Sequence, residues 1–216
     1  MEEELKRLQH SQSNMIFYFM LTIGTVSSVT ILLINIFRWV LMDTLTPFIA
    51  PFIEIIGYIV FCLSTLVVFV YFVVSKPSRR ARNGIPFLLN IIILILVLVV
   101  PINSIVLNFD FRSSQHKREK VVDMVMAGGL LPNVFHNPTL IRLPDDYKEL
   151  SKGGGEIVVL GDGTDTQILF FTYRGVTDQF AGFVYSADGQ EPDENRFGKW
   201  VEVKRLDEKW FWISVT

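Results

Sequence analysis

The stretch YFVVSKPSRRARNGIPFLL, residues 71–89, places four cations between two long apolar runs. These cations are Lys76, Arg79, Arg80 and Arg82, and no carboxylate accompanies them. Lys and Arg concentrate in the short cytoplasmic loops of membrane proteins. The stretch therefore predicts two membrane-spanning helices joined by a cytoplasmic loop, with these four residues as its topology determinants.

The N-terminal half of the chain contains three apolar runs, at residues 15–38, 47–74 and 85–109. In the first run, 23 consecutive residues carry no charge. A helix of that length measures about 35 Å, enough to cross a hydrocarbon core of about 30 Å. A helix in a soluble core is rarely apolar all round for so long. We therefore expect a three-span transmembrane region at 15–109, preceded by a cytoplasmic segment at 1–14.

The distribution of cations also predicts the orientation. If the loop at 76–82 is cytoplasmic, three spans place the N-terminus inside the cell and the C-terminal domain outside. The loop after the first run agrees with this, since its one cation is Arg38. Four further cations follow the third run, within residues 112–120, but charge in a long tail influences orientation less. The expected location is the cell membrane, as a multi-pass protein with an extracytoplasmic C-terminal domain.

Few polar or helix-breaking residues interrupt these runs. Arg38 and Glu54 are expected at the outer membrane surface, either as an ion pair or as two separately hydrated groups. Asn35, Asn90 and Asn103 are candidates for hydrogen bonds between helices, and Gly24 with Ser27 and Ser28 for a close approach between them. Pro101 would either kink the third helix or lie in its terminal turn.

The second half of the chain has a different composition. Residues 109–216 carry thirteen Lys or Arg against seventeen Asp or Glu, so this part offers no basic surface for nucleic acid. The one cysteine, Cys62, lies in an apolar run, which excludes an intramolecular disulfide and a cysteine zinc site. Residues 110–155 are expected to form a short helix at 114–127, stopped by Gly128 and Gly129, and then a proline-rich connector.

From residue 156 the apolar pattern changes to a period of two. Five β-rich segments follow, EIVVLGD, TQILFFTY, FAGFVYS, WVEVKRL and WFWISVT, and GDGT between the first two is typical of a hairpin. Residues 156–216 are therefore expected to form an antiparallel sheet. The predicted fold class is a membrane protein with three transmembrane α-helices, followed by a small α+β domain (110–216) with a meander sheet of about five strands.

The aromatic residues and one arginine are the candidates for a binding site. The last segment is apolar on both faces, so its strand is either central in the sheet or presents tryptophans outward. In the second case Trp200, Trp210 and Trp212 would form a platform for a glycan, a lipid headgroup or a partner protein. Arg174 stands among apolar and turn residues, as a ligand contact or as a structural hydrogen-bond donor.

The patterns typical of catalysis are missing from the sequence. His10, His116 and His136 are far apart, and neither G-x-S-x-G nor H-E-x-x-H occurs. Acidic residues crowd residues 188–194 and 162–165, where solvated turns and calcium ligands are the two interpretations, although the EF-hand spacing is not met. We therefore predict no catalytic residue, no metal ligand and no cofactor.

One resemblance concerns roughly the last 75 residues. The elements that carry it are Leu143-Pro144, Tyr147, Leu150-Ser151, Arg174-Gly175 and Val184-Tyr185-Ser186. In these elements the chain resembles a domain found in uncharacterised bacterial membrane or envelope proteins. The resemblance implies a bacterial domain that faces the envelope, and it carries no activity.

The favoured function is non-catalytic. The outer domain would bind a partner protein or an envelope component, as a sensor, an accessory subunit or an immunity-type protein, while the helices anchor it in the lipid bilayer. The alternative is a cell-envelope enzyme that uses carboxylates in the loops of residues 156–196. Transport would require Glu54 to face a polar cavity deep in the bundle.

Overall fold

The computed structural model describes residues 1–45, 49–175 and 179–215, which form two compact units. The first, the helical unit, comprises Met1–Arg38 and Ile49–Asn103. The second, the C-terminal unit, comprises the described residues of 39–48 and 104–216. The predicted fold class is confirmed, since apolar helices of membrane-spanning length precede a domain built on an antiparallel sheet.

Within the described residues, three helical stretches are long and apolar enough to cross a membrane: His10–Ile36, Ala50–Val74 and Pro77–Val99. The first lies in α1 (Glu2–Ile36), which is followed by a short α2 (Arg38–Leu45), and the second is α3 (Ala50–Val74). The third contains a 3-10 turn (Pro77–Arg79), α4 (Arg80–Asn83) and α5 (Ile85–Val99). These stretches overlap the predicted spans, except that residues 47–48 of the second span lie outside the described residues.

The helix predicted across the third span, 85–109, is interrupted after Val99. There α5 ends, and α6 (Ile102–Met126) begins after Pro101. Val100 has φ −82° and ψ 123°, the extended conformation that a following proline imposes. Pro101 also lacks the N–H that would continue the helix. The short helix predicted at 114–127 is consequently the second half of α6 and not a separate element.

Polar side chains join the three long helices of the helical unit. Asn90 of α5 is fully buried. Its Oδ1 accepts a hydrogen bond from Ser28 Oγ of α1 (3.1 Å). Its Nδ2 donates a hydrogen bond to Thr65 Oγ1 of α3 (2.9 Å). Gly24 permits this approach, because a Cβ there would lie 3.2 Å from Asn90 Oδ1. The interhelical roles predicted for Asn90 and Gly24 are confirmed.

The described part of the C-terminal unit contains six antiparallel strands, where five were predicted. In chain order they are β1 (Leu140–Arg142), β2 (Glu156–Leu160), β3 (Gln167–Arg174), β4 (Phe180–Ser186), β5 (Trp200–Arg205) and β6 (Trp210–Val215). Their order in the sheet is β1-β2-β3-β4-β6-β5. The sheet therefore departs from the predicted meander twice: β1 lies in the predicted connector, and β6 inserts between β4 and β5.

Side-chain character explains the position of β6. Trp210, Phe211, Trp212 and Ile213 are all buried, as in a strand that is covered on both faces. In contrast, β5 alternates apolar and charged residues, and Val201 is 67% exposed, which suits an edge strand. The chain therefore passes through the edge strand before it returns to the centre.

A candidate binding groove on the open face of the sheet

The sheet has two apolar faces, and α6 covers one of them. On this covered face, the ring of Phe111 from α6 lies 5.5 Å from the rings of both Phe183 and Trp210. The opposite face, here called the open face, has its own buried cluster, to which the helical turn Glu194–Phe197 contributes Phe197. The other buried members of that cluster are Leu169, Phe171, Val184, Ile213 and Val215.

A groove of about 660 Å³ runs along the open face beside Phe197. Apolar side chains from four strands line it, and they are Val158, Leu160, Leu169, Phe171, Phe180 and Val215. Three cationic residues, Arg174, Arg196 and Lys199, line it as well. We call this feature the open-face groove. Val158, Leu160 and Phe180 are half-buried in it, whereas Leu169, Phe171 and Val215 are buried, so the groove combines partly accessible apolar side chains with positive charge.

Arg174 is held at one end of the groove by Glu156. Its Nη1 donates to Glu156 Oε2 (2.8 Å), while Arg142 Nη2 donates to Glu156 Oε1 (3.0 Å). The Glu156 side chain is 11% exposed, so two arginines satisfy a nearly buried carboxylate. The hydrogen bond from Arg174, followed by that from Arg142, lowers the pKa of Glu156, and burial opposes this. Glu156 is therefore ionised at neutral pH.

The stem of Arg174 is fixed by its surroundings too. Its Cζ lies 5.0 Å from the centre of the Phe171 ring. On the other side it packs against Gly153, where φ is +72° and a Cβ would come within 2.9 Å of Arg174 Cδ. Of the two roles left open for Arg174, the geometry supports the structural hydrogen-bond donor, although the residue also lines the groove.

The other two cations differ in how they are paired. Arg196 forms an ion pair with the carboxylate of Asp165, and its Nη1 donates to the Asp165 backbone oxygen (3.1 Å). The hydrogen bond to Asp165 raises the pKa of Arg196. Lys199 is exposed and has no ion-pair or hydrogen-bond partner within the described ranges. It is thus the cation most available to an incoming carboxylate.

The lining of the groove can be described by the interactions it offers to a bound molecule. It includes the hydroxyl of Thr139, whose Oγ1 donates to Asn137 Oδ1 (2.8 Å). An apolar segment would cover the half-buried side chains of Val158, Leu160 and Phe180, and each Å² of apolar surface removed from water contributes about 25 cal/mol. A carboxylate on that segment would pair with Lys199, and such pairing adds orientation and specificity.

The three tryptophans do not form the platform considered from the sequence. Trp210 and Trp212 are buried on the covered face, where Trp212 Nε1 donates to Thr172 Oγ1 (3.3 Å). Trp200 is half-buried against the open-face cluster. Trp210 and Trp212, two residues apart on β6, share the covered face, whereas Trp200 is paired with Val215 and lies on the open face with it.

The acidic loops are organised as turns. Asp188 accepts hydrogen bonds from Gln190 N (2.9 Å) and Ser186 Oγ (2.8 Å), and these lower its pKa, the first of them most. Asp193 caps the turn at 194–197 by accepting from Asn195 N (2.9 Å). Among the described residues, no three His, Cys, Asp or Glu side chains are arranged so that they could hold a metal ion. A general acid needs a raised pKa, the opposite of what Asp188 has.

The predicted residues of the helical unit lie at its two ends. Arg38 and Glu54 form an ion pair, with Arg38 Nε 3.0 Å from Glu54 Oε1. The geometry of this contact is not that of a hydrogen bond. In the basic loop, residues 76–82, Arg82 Nη1 donates to Asn14 Oδ1 (2.8 Å). The Cζ of Arg82 lies 4.2 Å from the centre of the Phe17 ring. Arg79 Nη2 is 3.3 Å from His10 Nδ1, while Arg80 Nη2 donates to the Val73 backbone oxygen (3.4 Å) and Lys76 is exposed.

Arg118 is a notable residue that sequence patterns alone did not single out. Only 2% of the Arg118 surface is exposed. Arg118 Nη1 donates to the backbone oxygens of Asp110 and Phe111 (3.2 Å each). Arg118 Nε has no hydrogen-bond partner among the described residues. Burial lowers its pKa, and Asp110 opposes the shift. The helical period could have indicated its burial, since residue 118 lies seven positions after Phe111 and three before Val121 and therefore shares their helix face.

Comparison with known protein families, with curated proteins and with solved structures finds no match to this chain. The chemistry of the groove must therefore be interpreted from its own residues.

Proposed function

We propose that this protein is a membrane-anchored, non-catalytic binding protein whose C-terminal unit takes up a segment of a partner protein. The segment binds in the open-face groove and carries apolar side chains together with at least one Asp or Glu. The observation that carries the proposal is the pairing of an apolar floor with Lys199, a cation without a partner in the described structure. A protein segment suits this groove, because an extended chain offers alternate side chains to its apolar lining and a carboxylate to Lys199.

The location of the unit is part of the proposal. The cytoplasmic loop is the one that carries Lys76, Arg79, Arg80 and Arg82, so the N-terminus lies in the cytoplasm and the C-terminal unit faces outward. In a bacterial cell, the setting that the sequence resemblance suggests, the partner is a protein of the envelope or an outer segment of a membrane protein. The roles of sensor, accessory subunit and immunity-type protein all share this binding step.

Photocrosslinking in intact cells tests the proposal. Phe180, in the groove floor, is replaced by p-benzoylphenylalanine in the full chain. The matched control carries the same probe at Phe135, an aromatic residue that is 85% exposed and does not line the groove. We expect a protein adduct from position 180 and not from position 135, and the attached peptide, read by mass spectrometry, to contain apolar residues beside Asp or Glu.

Charge reversal supplies the second arm of this experiment. Lys199→Glu should reduce the adduct by about tenfold or more, because like charges across an interface cost several kcal/mol. Lys120→Glu, which reverses an exposed charge on α6 away from the groove, should leave the yield unchanged. Equal adducts from positions 180 and 135, a lipid adduct at position 180, or equal effects of the two reversals would each contradict the proposal.

A further inference from the structure

A second groove lies in the helical unit, between α1 and α3, at the end where the basic loop joins the spans. Its volume is about 990 Å³. Its lower walls are apolar side chains of both helices, namely Ile16, Met20, Leu66, Val67, Val70 and Val74. Its upper end is polar, and the residues there include Gln12, Ser13, Ser78, Asn83, Lys76 and Arg79. We call it the helix-end groove.

The length of the apolar part matches part of an acyl chain. Leu66 and Val74, at the two ends of the apolar wall on α3, are eight residues apart. Eight residues of helix rise about 12 Å. The groove therefore has a polar end at the limit of the spans and an apolar track that follows the helices toward the membrane centre. A phospholipid has the same order of parts along its length.

The charge at the polar end is positive and poorly neutralised. No Asp or Glu occurs among the described lining residues, and Lys76 has no partner within the ranges that the structure describes. Arg79 Nη2 lies 3.3 Å from His10 Nδ1, a contact that leaves the rest of the guanidinium for another acceptor. The glutamates that begin α1 end at Glu4, about 12 Å before Gln12 along the helix.

We propose that the helix-end groove binds one anionic glycerophospholipid. Lys76 and Arg79 hold the phosphodiester, and one acyl chain lies between Met20 and Val70. Basic pockets between transmembrane helices bind anionic headgroups, and each cation near the surface contributes about 1 kcal/mol. This inference is independent of the open-face groove and of its partner.

Native mass spectrometry of the full chain in a neutral detergent tests the inference. The probes are phosphatidylglycerol and phosphatidylcholine with identical acyl chains, so that only the headgroup charge differs. The wild-type chain should bind phosphatidylglycerol more tightly. Lys76→Gln should weaken that binding about fivefold, the factor that corresponds to ~1 kcal/mol for one interfacial cation.

Arg80→Gln is the matched control, because it removes one positive charge from the same loop at a residue outside the groove. It should change phosphatidylglycerol binding by less than about twofold. Met20→Trp, which fills the acyl track, should weaken the binding of both lipids. Equal affinity of the wild-type chain for the two lipids, equal losses from Lys76→Gln and Arg80→Gln, or full binding by Met20→Trp would overturn the inference.

Discussion

The guanidinium carbon of Arg118 lies 4.3 Å from the centre of the Phe183 ring, on the face of the sheet that α6 covers. A cation over an aromatic face contributes about 2 kcal/mol when both are withdrawn from water. The contact joins α6 to β4 through a charge inside an otherwise apolar core. Arg118 is therefore a structural residue of the C-terminal unit.

We expect Arg118→Ala to destabilise the C-terminal unit by about 2–4 kcal/mol, because it removes this contact and leaves a cavity. Arg112→Ala on the same helix removes an exposed ion pair with Asp207 (2.7 Å) and should cost less than about 1 kcal/mol. Denaturant unfolding in detergent, followed by tryptophan fluorescence, measures this unit, since all four tryptophans belong to it. Similar losses for both variants would show that Arg118 is no more important than a surface cation.

The ion pairs of Glu156 should make the stability of the C-terminal unit depend on pH. The pKa of Glu156 in the folded protein is lowered, chiefly by Arg174. The stabilisation from Glu156 is therefore complete above the pKa of an unfolded glutamate, about 4.3. It is lost as the pH falls through the pKa of the folded protein. Glu156→Gln should therefore be less stable than wild type at pH 7, and the difference should shrink below about pH 4.

Thermal unfolding of both proteins between pH 7 and pH 3 measures this effect. Glu191→Gln, at an exposed carboxylate with no hydrogen bond to the described residues, is the control and should follow the wild-type curve. A difference between Glu156→Gln and wild type that stays constant with pH would rule out the proposed linkage.

We expect Asn90 to make the main polar contribution to helix packing in the helical unit. Asn90→Leu removes the hydrogen bonds to Ser28 and Thr65 and should destabilise this unit by about 1–2 kcal/mol, given about 0.6 kcal/mol for an average interhelical hydrogen bond in a membrane. The control is Cys62→Ser, at an exposed position of α3. Resistance to unfolding in increasing SDS, compared across wild type and both variants, should fall for Asn90→Leu alone.

The tryptophans should differ in their access to a quencher. Trp200 is half-buried, whereas Trp210 and Trp212 are buried. Trp200→Phe should therefore remove more of the iodide-quenchable fluorescence than Trp212→Phe removes. The opposite ranking would mean that the last strand presents its indoles to solvent.

The spanning helices could be predicted from the sequence because a soluble core rarely holds a helix that is apolar all round over more than 20 residues or so. Asn90 and Gly24 were also predictable, since a polar or small residue in such a run has few roles apart from helix contacts. The helix break after Val99 was not predicted, because Pro101 is compatible with a kink, a terminal turn or a break. Only the conformation of Val100 decides among these.

The sheet was predictable in its segments but not in its order. Local alternation identifies β5 and β6, yet it does not show that β6 pairs with β4, since pairing depends on contacts distant in sequence. Three-residue β1 is too short to show any period, and prolines flank it. The open-face groove was missed for the same reason, because Lys199, Arg196 and Arg174 come together only after the strands pair.

The orientation of the C-terminal unit is the central claim, and thiol labelling tests it most directly. In a Cys62→Ser background, Gln190→Cys places one thiol on an exposed loop of that unit, and Ser78→Cys places one in the basic loop. Intact cells are treated with a membrane-impermeant maleimide. We expect labelling at position 190 in intact cells and at position 78 only after lysis. The reverse pattern would place the open-face groove in the cytoplasm and contradict the proposed function.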